Sequence, residues 1–146
     1  MADKQRPDVD LSTTCACGAV AVSVRGPVYS MFMCACEDCQ KASGTGHSAA
    51  FVVDPSSLDV QGPTRSFERL SASGATFTRT FCPACGTPLH GRSSRNTRAA
   101  MIPVGLFGGA AAAWYVPKQL IFSRSHREWD ALAPDLPRHE TYPVRG

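Results

Sequence analysis

Three cysteines within six residues, Cys34-Ala35-Cys36-Glu37-Asp38-Cys39, constrain this chain more than any other stretch. Gaps of one and two residues let all three sulfurs turn toward a single metal ion. Two tight pairs flank them, Cys15-Ala16-Cys17 upstream and Cys82-Pro83-Ala84-Cys85 downstream. The seven cysteines therefore divide as four plus three. Four ligands close a structural zinc site, whereas three leave a position for water or substrate, as in catalytic sites. An odd cysteine count in a reducing compartment favours metal over disulfides. Zinc is the expected ion at both sites, although a sulfur-only set would also accept iron.

At 146 residues and 43% hydrophobic content, the chain has room for one domain with its own core. Fifteen Lys and Arg against twelve Asp and Glu give a formal charge of +3 without a run of like charges, so no nucleic-acid partner is expected. The opening Met1-Ala2-Asp3-Lys4-Gln5-Arg6-Pro7 is polar and does not read as a signal peptide, and no apolar run is long enough for a membrane helix. A cytoplasmic protein with no membrane partner is the expectation. Oligomeric state is not legible.

Residues 1–9 read as a flexible arm and 10–143 as the domain. Valines at every second position in Ala19–Arg25 have the period of a half-buried strand, Gly26-Pro27 suggests a turn, and Val28–Met33 reads as a second strand running into Cys34. These two would form a hairpin with a cysteine group at each end. Further short strands are expected at 10–14, 49–53, 58–61, 66–70, 75–81, 99–104 and 119–122, with one helical turn over Glu37–Ala42 and a flexible loop at Ser43–Gly46. Many short strands punctuated by Gly and Pro predict a mainly β fold.

Cys82-Pro83-Ala84-Cys85-Gly86 has the form of a zinc knuckle, its glycine supplying the positive φ that such a turn often needs. Cys15-Ala16-Cys17-Gly18 repeats the trailing glycine. A redox pair is the rival for Cys82 and Cys85, but Gly86-Thr87-Pro88 is a poor start for the helix that would activate one of its thiols. The trio has no fourth cysteine. His47, His90, His126, Glu37 and Asp38 are its possible fourth ligands, and an open position is preferred.

Three thiolates on one divalent ion make an electron-rich centre, poor at activating water and well suited to an incoming thiol. Capture or activation of a small thiol is the expected chemistry. Lys41 lies nearest the trio in sequence, His47 is its candidate acid or base, and Arg92, Arg95 and Arg98 could offset the excess negative charge.

The motifs Cys15-Ala-Cys17-Gly18-Ala-Val20, Cys34-Ala-Cys36-Glu-Asp-Cys39-Gln40-Lys41 with Ser43-Gly44, and Phe81-Cys82-Pro-Ala-Cys85-Gly86 together resemble the glutathione-dependent formaldehyde-activating (GFA) enzyme family. The tail is similar too, in Ile121-Phe122, Ser125, Trp129 and Leu136-Pro137 ahead of Tyr142-Pro143. The resemblance implies a mainly β Mss4-like, or β-tent, fold of short antiparallel strands in one domain. It implies Cys15, Cys17, Cys82 and Cys85 as structural zinc ligands and Cys34, Cys36 and Cys39 as catalytic zinc ligands. It also implies carbon-sulfur lyase activity on glutathione plus formaldehyde or a related adduct, as in S-hydroxymethylglutathione synthesis. The alternative function is a non-catalytic zinc module that binds a protein partner, which predicts a trio closed from within or empty, and an exposed apolar patch around Trp129 and the tail prolines.

Overall fold

The structure, a computed structural model, describes residues 6–143. Strands β1 (Asp8–Thr14) and β2 (Ala21–Pro27) pair antiparallel. They are followed by β3 (Ser30–Cys34), helix α1 (Glu37–Ser43), β4 (Ser48–Val53), β5 (Leu58–Gln61) and β6 (Arg65–Leu70). The chain continues through β7 (Thr76–Phe81), β8 (Pro88–Ser93), β9 (Asn96–Pro103), the short helix α2 (Gly109–Ala112) and β10 (Leu120–Ile121). Two sheets result: a three-stranded one ordered β1-β2-β5 and a seven-stranded one ordered β10-β3-β4-β9-β8-β7-β6. Neighbouring strands run antiparallel except β10, which lies parallel to β3.

Alternation explains the small sheet. Val20, Val22 and Val24 are buried while Ala21 and Arg25 are exposed, as a strand with one covered face requires. The expected hairpin is not formed. β2 pairs with β1 and β5, while β3 pairs with β4 and β10 in the other sheet. Gly26-Pro27 therefore ends one sheet and Val28-Tyr29 carries the chain into the next, with Val28 buried and its N–H donating to the Pro7 carbonyl at 2.8 Å. Residues 1–5 of the expected arm lie outside the described residues. Pairing begins at Asp8, earlier than the expected boundary, and Val9 is buried, because the register with β2 continues to Pro27.

The core fills the space between the sheets. Phe51, Val53, Leu89, Ala100 and Ile102 from the large sheet meet Val20, Val22 and Val24 from the small one. Phe107 and Trp114 close over Phe51, the Trp114 ring standing edge-on at 5.0 Å. The small-residue stretch Gly108–Ala113 contains α2, with Ala111 buried in the core. Tyr115 then ties this segment to the sheet, its hydroxyl reaching the carbonyls of Phe32 at 3.1 Å and Ala50 at 3.2 Å.

Candidate metal centres

Each cysteine pair of the first centre sits in a tight turn at the end of a hairpin. Between β1 and β2, the Gly18 N–H donates to the Cys15 carbonyl at 3.0 Å and the Val20 N–H points at Cys15 Sγ at 3.3 Å. Between β7 and β8, the Gly86 N–H donates to the Cys82 carbonyl at 2.8 Å. Gly18 and Gly86 hold φ of 82° and 78°, the left-handed backbone expected of them from sequence. The two turns are stitched directly by Thr87, whose hydroxyl accepts from the Ala16 N–H at 3.2 Å and lies 3.1 Å from Cys85 Sγ. Hydrogen bonds from the Thr87 hydroxyl and backbone hold the pKa of the Cys85 thiol down at about 5.

The four sulfurs lie within 4.8 Å of one another, with Cys15–Cys17 at 3.6 Å and Cys17–Cys82 at 3.7 Å, and all are free thiols. A tetrahedral ion about 2.3 Å from each sulfur gives sulfur–sulfur edges of about 3.8 Å. The four cysteines therefore have the spacing of a closed metal site, not of disulfides. Cys15 and Cys82 are buried and Cys17 and Cys85 exposed, so the centre lies at the surface between the two sheets.

The second centre is local. β3 ends at Cys34, and Cys36, with extended φ and ψ of −63° and 157°, caps α1 by accepting the Cys39 N–H at 3.4 Å. One helical turn then brings Cys39 back over Cys34. Cys34, Cys36 and Cys39 lie within 4.8 Å of one another. Cys34 is buried and the other two half-buried. Hydrogen bonds from the Cys34 and Cys39 thiols pull the Cys36 thiol far below its usual range, helped by the Arg69 charge, while the same contacts push Cys34 far up. Three thiolates this close repel one another, so holding all three ionised calls for a cation among them. The donor set of the trio fits a soft or borderline metal.

Backbone and tail lock this loop. Gln40 Nε2 donates to the Ala35 carbonyl at 2.8 Å and to the Ser125 carbonyl at 3.0 Å, and the Ala35 N–H donates to the Ile121 carbonyl at 3.0 Å. Arg127 adds bonds to Gln40 Oε1 and Glu37 Oε1, each at 3.2 Å.

None of the five possible fourth ligands joins the trio among the described residues. Glu37 pairs with Arg127 and Asp38 with Arg69. His90 lies on β8 opposite Thr80, with its pKa lowered by burial and by Arg92. His47 and His126 both bond Asp130, at 2.6 Å through Nδ1 and 3.0 Å through Nε2, onto the same carboxylate oxygen. Lys41 is exposed in the last turn of α1.

The arginines expected to balance the charge make contacts elsewhere. Arg92 donates to the Thr97 carbonyl, Arg95 packs 4.5 Å over the Tyr142 ring, and Arg98 is exposed beyond the β8–β9 turn. Besides Arg127, a second cation reaches the trio loop, Arg69 of β6, which meets Asp38 Oδ2 at 3.3 Å. Arg69 and Asp130 were not singled out from sequence: Arg69 meets Asp38, and Asp130 meets His47, only through the fold, and the one local signal was the four-residue spacing of His126 and Asp130.

The model of the family described as glutathione-dependent formaldehyde-activating enzyme matches residues 10–125, most of the chain and both cysteine centres. The chain belongs to this family. The two-sheet, mainly β single-domain architecture is accordingly the expected Mss4-like GFA fold. A crystal structure of a Rhodobacter sphaeroides protein is similar, with a TM-score of 0.56 and 21% identity over 73% of this chain and 98% of the other, a likeness of fold. No curated protein matches the chain in sequence. No helix among the described residues is long and apolar enough to cross a membrane.

Proposed function

We propose that this GFA-family chain is a zinc-dependent carbon-sulfur lyase acting on a small thiol, glutathione or a relative, and formaldehyde or a related electrophile. The observation carrying the proposal is the three-cysteine centre, which no His, Asp, Glu or further Cys of the described residues joins. Zinc bound there would supply a fourth position at which a thiol ionises readily. In the joining direction the thiol sulfur forms a bond to the carbonyl carbon, the carbonyl π bond breaks, and the proton lost from sulfur ends on oxygen. The lyase direction reverses each step.

Cys34, Cys36 and Cys39 hold the ion in this reading, while Cys15, Cys17, Cys82 and Cys85 hold a second, structural zinc. The proposal assigns proton exchange or orientation to His47 or Lys41. Asp130 fixes the His47 ring through Nδ1, and Lys41 lies two residues beyond Cys39. Thiolate ligands persist in reducing compartments, which fits a cytoplasmic location. The rival, a non-catalytic zinc module, has the 68% exposed Trp129 in its favour. The unclosed trio favours the enzyme.

Cobalt-substituted protein titrated with glutathione tests this reading. A change in the thiolate-to-cobalt absorption, together with glutathione-dependent consumption of formaldehyde followed by NMR, is expected. Silence in both at millimolar glutathione refutes it. His47→Gln and Lys41→Met should slow turnover while leaving metal content at two equivalents.

A further inference from the structure

Arg69 occupies an unusual position for a strand arginine. It belongs to β6, the edge of the seven-stranded sheet, where its neighbours Phe67 and Leu70 are 55% and 75% exposed. Its own side chain is only 17% exposed. The guanidinium lies 4.8 Å over the Phe77 ring, directly across the β6–β7 pair, and reaches Asp38 in the trio loop. The curl of the sheet thus brings a cation from one edge against the loop carrying Cys36 and Cys39.

That cation is under-compensated. Its sole ion pair among the described residues is one contact from Nη1 to Asp38 Oδ2 at 3.3 Å, and Asp38 is 51% exposed. Nε is buried and has no hydrogen-bond partner among the described residues. A guanidinium carries five N–H donors in a planar fork that matches a carboxylate bidentately. A largely desolvated guanidinium with spare donors, stacked on an aromatic ring, is poised to take a carboxylate more strongly than a solvated one could.

We infer that Arg69 is an anion-binding residue of the trio centre, and that it selects thiols carrying a carboxylate over neutral thiols. This rests on the proposed thiol chemistry and narrows the substrate class: sulfur at the open position of the metal, carboxylate on the Arg69 fork. Asp38 competes for the same fork and moderates the affinity. Phe77 holds the guanidinium plane in place.

The probes are 3-mercaptopropionate and 2-mercaptoethanol, a carboxylate thiol and a neutral one, titrated into cobalt-loaded protein and followed by thiolate-to-cobalt absorption. The wild type should bind 3-mercaptopropionate at least about tenfold more tightly. Arg69→Met keeps an apolar stem on Phe77 and should weaken 3-mercaptopropionate by roughly 10- to 100-fold, leaving 2-mercaptoethanol within about twofold. Arg69→Lys keeps the charge without the fork and should fall between. Asp38→Asn removes the competitor and should tighten 3-mercaptopropionate alone. Two metal equivalents in each variant check that the centres are intact. Equal affinity of the wild type for both thiols, or equal weakening of both by Arg69→Met, overturns the role of Arg69 and leaves the open thiol site standing. Binding of neither thiol overturns the thiol site and this inference together.

Discussion

Cys85→Ala and Cys39→Ala each remove one sulfur, yet they should differ sharply in stability. The closed centre joins Cys17 to Cys82, 65 residues apart, and links a turn of the small sheet to a turn of the large one. Treated as a cross-link, a loop of that size removes about 4 kcal/mol of unfolded-state entropy at 25 °C, against about 2 kcal/mol for the six-residue trio loop. Structural zinc can supply on the order of 10 kcal/mol of apparent folding free energy, comparable to the whole stability of a domain. About 4 kcal/mol is therefore the expected cost of Cys85→Ala, and at roughly 3 °C per kcal/mol its Tm should fall by about 12 °C. Cys39→Ala should cost about 6 °C at most, because Gln40 and the Ala35 N–H still hold the loop to the tail. Calorimetry with metal analysis on the same samples measures both. Equal Tm losses, or a Cys85→Ala protein that melts like wild type, would refute the division into a scaffold centre and a working centre.

Asp130→Ala should destabilise the fold by about 1–3 kcal/mol, since it strips His47 and His126 of a shared, largely buried partner. Burial opposes the charge of Asp130, but the two histidines outweigh it and hold the carboxyl below its usual value. Its contribution should therefore be complete above the unfolded carboxylate pKa of about 3.9 and vanish as pH falls through the lower folded value. Chemical denaturation of wild type and variant from about pH 2 to about pH 6 checks this, and a stability gap that widened toward acid would contradict it. Gly91→Ala places a methyl group against the Phe77 ring and should cost about 1–3 kcal/mol by denaturant unfolding. Phe51→Ala empties the centre of the core, where Phe51 is fully buried, and should cost about 3–5 kcal/mol in the same assay.

The grouping of the cysteines was legible because ligand spacing is local: one- and two-residue gaps dictate where sulfurs can meet. The valine alternation gave β2 for the same reason. β8 was missed because Pro88-Leu89-His90-Gly91-Arg92-Ser93 lacks strand propensity. It is a strand because β7 and β9 bond it on both sides and because Gly91 leaves room for the Phe77 ring. The expected hairpin failed because a Gly-Pro turn signal does not say whether the chain reverses or changes sheet. Arg69 was invisible for a related reason, and so was half of the Asp130 cluster: Asp130 meets His47 across 83 residues, whereas its bond to His126 spans only four and has a sequence signal.

The parallel pairing of β10 with β3 bears on how the protein is made. β1 to β5 are all synthesised by Gln61, so the small sheet and the β3–β4 pair can form early. The Ser125 carbonyl that anchors Gln40 emerges 85 residues after its partner, and the Ile121 carbonyl that holds Ala35 only shortly before it. Until residues 119–125 leave the ribosome, neither carbonyl is there to hold the loop that carries the thiols at positions 34, 36 and 39, so that loop is the last part of the β3–β4 region to be fixed.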